Sequence, residues 1–354
     1  MKRLFLPLCL ALCLTVQATA QKKQLKGTVV DKETRDALPG ANVFLNQTTI
    51  GVATTTTGAF TLENLPSGKH IVVVSMIGFK PFTYPLDELL ALGDRVIIEL
   101  EPDEVLLGEI KVTSKRPKKW LRNLDLFKEQ FIGTGDNAAK TEILNPEVID
   151  FENKGNDLLA TVRSPLQIEN KALGYHVEFH LKDFRFSKKG LKSSINTDGF
   201  AVYRELEPEN DIEAQEWANA RKKTYETSFT HFIHALFADK LEDENYTVYY
   251  ARRVRVDNSP NSVKARRKVH RSTDIYTFTN DLSTIKLFNS KSDYLRVERL
   301  DGPTSWISFP NESALVDIKT GKEVSSQFRS VLHGHWGLSH RISDLLPKNF
   351  RTSL

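Results

Sequence analysis

Between residues 24 and 113 short apolar runs alternate with turn formers. Residues 24–30 end in Asp31, and Leu38-Pro39-Gly40 turns the chain into 41–45. Residues 51–57, rich in β-branched threonine, stop at Gly58. Residues 60–65 run into Pro66-Ser67-Gly68, and Ile71-Val72-Val73-Val74 reads as a strand buried on both faces. Residues 96–100 and 109–112 complete a set of about seven strands. Short strands with frequent turn signals predict an all-β, seven-stranded sandwich.

The pattern then changes. Residues 114–119 are polar, basic and hold Pro117, which predicts a linker between domains over 21–113 and 120–354. Trp120, Leu121, Leu124, Phe127 and Phe131 recur at helical spacing, as in a short helix packing on the second domain. Over 143–203 the period returns to two. Tyr175, Val177, Phe179 and Leu181 point one way, and His176, Glu178, His180 and Lys182 share the other, which reads as a solvated face. The apolar register then jumps to Phe184 and Phe186, predicting a bulge near Lys182-Asp183.

Residues 208–239 predict one long helix, with Glu209, Asp211 and Glu213 at its start and an apolar stripe from Trp217 to Phe237. Strand-like runs follow at 246–250, 295–297, 306–309 and 315–318. A final helix is predicted over 338–346, stopped by Pro347. The expected fold class is a seven-stranded sandwich followed by a larger α+β domain with one long helix.

Residues 1–20 change the picture of location. Met1-Lys2-Arg3 is basic, the next 13 residues are almost wholly apolar, and Ala18-Thr19-Ala20 supplies small residues before Gln21. This is the layout of a secretory signal peptide, and the run is shorter than the roughly 20 residues of a spanning helix. An exported protein is expected, periplasmic or associated with an outer membrane, with no transmembrane segment once processed. Loss of Lys2 and Arg3 leaves 47 basic against 45 acidic residues, a formal charge of +2 instead of +4. A near-neutral chain is not a general polyanion binder, and nucleic acid is not an expected partner. Cys9 and Cys13 are the two cysteines, so the processed chain offers no disulfide, thiol chemistry or cysteine metal ligand.

Four separated blocks carry a resemblance. Gly27-Thr28-Val29-Val30-Asp31, Leu38-Pro39-Gly40-Ala41-Asn42-Val43, Gly51-Val52-Ala53-Thr54 and Gly58-Ala59-Phe60 resemble the carboxypeptidase-regulatory-like domain. The resemblance implies a transthyretin-like sandwich of seven strands. Thr55 and Thr57 depart from it, standing where that family often has Asp or Asn. In zinc carboxypeptidases this sandwich accompanies a separate catalytic domain, whose His-x-x-Glu start is matched by none of the nine histidines here. The same sandwich precedes many TonB-dependent transporters, but the 241 residues after 113 are too few for a barrel of about 22 strands with a plug. Segments such as Asn170-Lys171-Ala172-Leu173-Gly174-Tyr175 and His335-Trp336-Gly337 resemble exported Bacteroidota proteins with this sandwich at their N-terminus. That resemblance carries over no catalytic residue.

Candidate chemistry is sparse. Arg252, Arg253, Arg255, Lys264, Arg266, Arg267, Lys268 and Arg271 are opposed only by Asp257, with Asn258-Ser259-Pro260-Asn261-Ser262 forming a loop between them. The run reads as a long hairpin tip, either solvated or binding a polyanion. In an envelope the available polyanions are anionic lipid, lipopolysaccharide phosphates and acidic glycans. His176, Glu178 and His180 on one strand face, and His333 with His335 near Trp336, are the weak metal candidates. His231 and His234 read as core histidines. No cofactor is expected, and no phosphate-loop, dinucleotide or nucleophile-elbow motif occurs. The leading expectation is a non-enzymatic envelope protein that binds an envelope protein or surface glycan. The alternative is a glycan or peptide hydrolase with its site in the second domain.

Overall fold

The computed structural model describes residues 23–93, 95–103, 117–190, 192–256, 259–288, 293–300, 302–324, 330–339 and 341–351. The expected signal segment, the strand expected at 109–112 and residues 114–116 of the expected linker lie outside them.

The N-terminal sandwich contains β1 (Leu25–Asp31), β2 (Asn42–Leu45), β3 (Gly51–Ala53), β4 (Ala59–Leu62), β5 (Ile71–Ser75), β6 (Phe82–Pro85), a short helix α1 (Leu86–Ala91) and β7 (Val96–Leu100). One sheet runs β4-β1-β7, with β1 antiparallel to β4 and parallel to β7. The other runs β3-β2-β5-β6. Alternating residues such as Leu25, Val29, Val43, Leu45, Leu62 and Ile98 fill the space between the sheets. β6 is an addition to the sequence expectation. Pro81 precedes it and Pro85 ends it, which a strand tolerates at an edge, and among the described residues it pairs only with β5.

The chain beyond residue 117 is mostly β-sheet with few helices. Helix α2 (Lys118–Phe131) starts at Pro117, so Lys118 and Lys119 form its first turn. It is followed by β8 (Thr141–Ile143), β9 (Ile149–Lys154), β10 (Asp157–Val162), β11 (Leu166–Asn170), β12 (Tyr175–Lys189) and β13 (Lys192–Glu205). These strands form a sheet ordered β8-β11-β12-β10-β9, with β13 also paired to β12. Leu124, Phe127 and Phe131 of α2 pack on its inner face, where Phe127 meets Phe184 and Phe131 meets Phe179. The β12–β13 register shifts between Leu181 and Asp183, where the apolar pattern breaks.

The single long helix expected over 208–239 is two helices, α3 (Asp211–Glu226) and α4 (Phe229–Phe237). Asn210 Oδ1 caps α3 by accepting from the amides of Ile212 and Glu213, both at 3.0 Å. Ser228 caps α4, its Oγ accepting from His231 N at 3.1 Å. That cap turns the chain, so Phe232, Ile233 and Leu236 enter a core that Trp217, bonded to Lys171 O, does not join. That core is built on β14 (Tyr246–Val256), β15 (Ser259–Lys268), β16 (Tyr276–Phe278), β17 (Thr284–Phe288), β18 (Tyr294–Arg299), β19 (Ser305–Ser308), β20 (Ser313–Asp317), β21 (Lys322–Glu323) and β22 (Val331–Gly334). They form two sheets, β15-β14-β18-β19-β22 and β16-β17-β20-β21.

The helix expected over 338–346 is also corrected. A short helix α5 spans His335–Ser339, and Ile342–Asp344 makes one 3-10 turn. Asn170 Nδ2 donates to Ser343 O at 2.9 Å and Ser343 Oγ donates to Ile132 O at 2.8 Å, which spends these groups on tertiary rather than helical bonds. No helix among the described residues is long and apolar enough to cross a membrane.

On the face of β12 expected to be solvated, Glu178 and His180 are covered by the sandwich, while Lys182 stays exposed. Phe44, Val73 and Val202 form a small buried cluster. Thr48 bridges in parallel to Val202, Gln47 N donates to Ala201 O at 2.6 Å, and Tyr203 N donates to Thr48 O at 2.9 Å. This contact explains why Val72, Val73 and Val74 are all 0% exposed: Val72 and Val74 face the sandwich core, and Val73 faces β13.

Candidate ligand-binding cleft

The tail after residue 343 runs back across the molecule, and a cleft opens beneath it. Its volume is about 660 Å³. The walls come from the 134–137 loop, the end of α3 and start of α4, the β20–β21 turn, the start of α5 and the tail 344–351.

Each wall is held by named bonds. Asn137 Nδ2 donates to Thr224 Oγ1 at 3.2 Å and to Asp344 Oδ1 at 2.8 Å, joining loop, helix and tail. Trp336 Nε1 donates to Thr227 O at 2.8 Å, fixing α5 against the α3–α4 joint. Tyr225 OH shares a 2.7 Å hydrogen bond with His234 Nδ1, and its ring meets Phe350 of the tail at 5.9 Å. Asp317 is fully buried and accepts from Thr320 N at 2.7 Å and Thr320 Oγ1 at 2.8 Å, which shapes the turn before β21. Gly321 completes that turn at φ +61°. A Cβ there would lie 2.8 Å from Thr230 Cγ2, so only glycine lets the turn pack against α4.

The tail is also tied to the sandwich. Lys348 N donates to Gln47 O at 2.6 Å, Thr49 N donates to Asn349 Oδ1 at 3.1 Å, and Asn349 Nδ2 donates to Thr49 Oγ1 at 2.8 Å. Arg351 anchors its far end through Lys319 O at 3.2 Å. The strap therefore belongs at once to the cleft wall and to the contact with the sandwich.

The lining mixes rings, hydroxyls and charge. Tyr225, Phe229, Trp336 and Phe350 place rings along it, the first three of them buried, and Thr134, Thr224, Thr227, Ser228, Thr230 and Thr320 also line it, with Thr227, Ser228 and Thr320 donating to protein acceptors. Lys322 and Lys348 are half-buried. Burial first, and then the neighbouring Lys348 charge, brings Lys322 down from 10.5 to about 8, and burial lowers Lys348 in the same direction. Burial raises the Asp344 carboxyl, whose Oδ1 accepts from Asn137 at 2.8 Å and whose Oδ2 lies 3.4 Å from Ser343 Oγ. Burial drives His234 down to about 4, so its ring is neutral and serves to hold Tyr225.

The residues singled out from sequence sit elsewhere, except one. His335 lines the cleft. His333 Nε2 shares a 2.9 Å hydrogen bond with Ser308 Oγ, and its ring stands edge-on to Tyr294. His176 Nε2 is 2.8 Å from Gln167 Oε1. His180 Nε2 is 2.9 Å from Glu178 Oε1 and its ring stacks on Phe44 at 5.5 Å, so this pair belongs to the sandwich contact and not to a solvated face. Among the described residues no three His, Cys, Asp or Glu side chains converge to hold a metal ion.

The basic run lies on the β14–β15 hairpin, whose strands pair from Tyr249↔Lys268 to Val256↔Ser259. Arg252 is exposed, Arg267 lies 4.9 Å over the Tyr250 ring, and Lys268 approaches Glu242 at 3.8 Å. The side chains of Arg253, Arg255 and Arg266 lie outside the described set. Lys322 and Lys348 were not singled out from the sequence. They are 26 positions apart, and neither carries a motif.

Residues 25–112 match the CarboxypepD_reg-like domain. The match covers the two sheets of the sandwich and stops before α2. A search of curated proteins returns no match. Among solved structures, a 2.00 Å crystal structure of a Bacteroides uniformis ATCC 8492 protein, provisionally described as carbohydrate binding, is similar over 51% of this chain and 78% of that one, at 9% identity and a TM-score of 0.17. A likeness at that score carries no argument about function.

Proposed function

We propose that the protein is an exported, non-enzymatic binding protein of the cell envelope, and that the cleft under the C-terminal strap takes a polyhydroxylated ligand, an envelope glycan. The observation that carries this reading is the lining itself. Four aromatic and six hydroxyl-bearing residues border one cavity of about 660 Å³, a size and a mixture of apolar and polar lining that suit a small saccharide. The sandwich acts as a fixed scaffold: it holds the strap through Gln47 and Thr49, and so helps keep the cleft wall in place.

A hydrolase is the second reading, and one observation favours it. Asp136 and Asp344 both line the cleft, and Asp344 is held toward its protonated form by burial, as a general acid requires. Against it, Asp344 Oδ1 already accepts from Asn137, a side chain that holds the walls together. Calorimetric titration of the full chain with a panel of neutral and acidic oligosaccharides, with product analysis on the same samples, separates the readings. Binding with intact ligand recovered supports the binding protein. Turnover that is lost in Asp344→Asn overturns it in favour of the hydrolase.

A further inference from the structure

We infer that the cleft recognises an oxyanion on its ligand, a carboxylate or phosphate group, through the ammonium groups of Lys322 and Lys348. The inference rests on the proposed ligand-binding role of the cleft and deepens it by naming the class of ligand.

Both lysines line the cavity from different walls, Lys322 at the start of β21 and Lys348 on the strap. Among the described residues neither Nζ has a hydrogen-bond acceptor or a carboxylate at ion-pair distance. The acids around them make their hydrogen bonds with other groups. Asp317 Oδ1 shapes the turn through Thr320, while its buried Oδ2 has no hydrogen-bond partner among the described residues; Glu323 accepts from Ser330 N at 2.7 Å and Oγ at 2.6 Å, and Asp344 Oδ1 accepts from Asn137. Asp317 does attract Lys348, but that attraction is smaller than the cost of burying it. Arg351 adds a third positive charge at the rim, fixed by carbonyls of Lys319, Lys348 and Phe350.

Two like charges held together, away from full contact with water, are unfavourable without a partner. Proteins keep such groups where a ligand completes them. An oxyanion between two ammonium groups relieves both the repulsion and the lost hydration, through charge-assisted hydrogen bonds. The α3–α4 wall then borders the remainder of the ligand.

The test is calorimetric titration of the full chain with three probes: a galacturonic acid trisaccharide, a neutral galactose trisaccharide and inorganic phosphate. Wild type is compared with Lys322→Gln and Lys348→Gln, and the melting temperature of each unliganded variant is recorded. The expected result is binding of the acidic over the neutral trisaccharide by about tenfold or more, lost in either variant, while the unliganded variants melt at or above the wild-type temperature. Phosphate binding without trisaccharide preference assigns the oxyanion to a phosphorylated ligand. Equal, lysine-independent binding of both trisaccharides overturns the inference and leaves the cleft as a neutral-glycan site. No binding by any probe overturns the inference and the cleft reading together. Variants that bind the acidic trisaccharide normally, or that melt well below wild type, make the lysines structural and also overturn it.

Discussion

Removing a charge from the cleft should make the empty protein more stable. Consider Lys322→Met, which keeps most of the aliphatic stem and deletes the ammonium group. In the folded chain Lys322 gives up its proton at about 8, against 10.5 for an ordinary lysine. At roughly 1.4 kcal/mol per pH unit this corresponds to about 3 kcal/mol of destabilisation of the charged native state at neutral pH. The side chain is only half-buried, and water screening trims the figure to about 1–2 kcal/mol. The variant is therefore expected to gain about 1–2 kcal/mol at pH 7, a rise of roughly 1–3 °C in melting temperature.

The pH dependence supplies the sign. Between about 8 and 10.5 the unfolded chain holds the Lys322 proton that the folded chain has released. Wild-type stability rises with pH across that interval. The window closes near pH 10, because burial raises Tyr175 to about 12 and raises Tyr203 and Tyr246 as well. Their phenols ionise first in the unfolded chain and pull stability down. Lys348 shifts in the same direction as Lys322, so Lys322→Met should flatten the rise without removing it. Urea unfolding of both proteins at pH 7, 8, 9 and 9.5 measures this directly. A variant less stable than wild type at pH 7, with an unchanged slope above pH 8, refutes the reasoning.

Other positions give independent checks. Burial, aided by Arg299, drives His231 down to about 4, so stability should fall as pH drops from 6.5 toward 4, when the unfolded chain takes up the proton first. Glu244 at 3.3 Å from Nε2 gives the charged ring a partner and limits the loss to about 2 kcal/mol, which His231→Gln should remove from a series of urea midpoints. Phe44→Ala deletes a ring that is 1% exposed between β2 and β13, and should cost about 3 kcal/mol and loosen the strap, seen as faster hydrogen exchange at 344–351. Gly174→Ala should destabilise by about 2 kcal/mol or more, because Gly174 has φ +65° and a Cβ would meet Trp217 Cδ2 at 2.3 Å; thermal melting checks it.

How much of this was legible in the sequence depends on the range of the signal. The sandwich was readable because its strands are short and each turn carries its own glycine or proline, as at Pro39-Gly40 and Pro66-Ser67-Gly68. The bulge after Leu181 was readable because it breaks a strict alternation. The break between α3 and α4 was written locally in Thr227-Ser228, a serviceable cap, but the aromatic stripe on both sides masked it. The burial of Glu178 was hidden, because charged residues at alternate positions look the same whether water or a second body covers them. The cleft was hidden for the same kind of reason. Lys322 is set by a turn around Asp317, Lys348 by bonds to Gln47, and only tertiary structure brings them to one cavity.

The most direct measurement is hydrogen exchange along the full chain with and without the galacturonic acid trisaccharide. The account predicts added protection at 320–324, 224–230 and 344–351, with the β14–β15 hairpin unchanged. Protection confined to the basic hairpin at 246–268, with the strap and the β20–β21 turn exchanging as before, would contradict it and move the binding site to the arginine run.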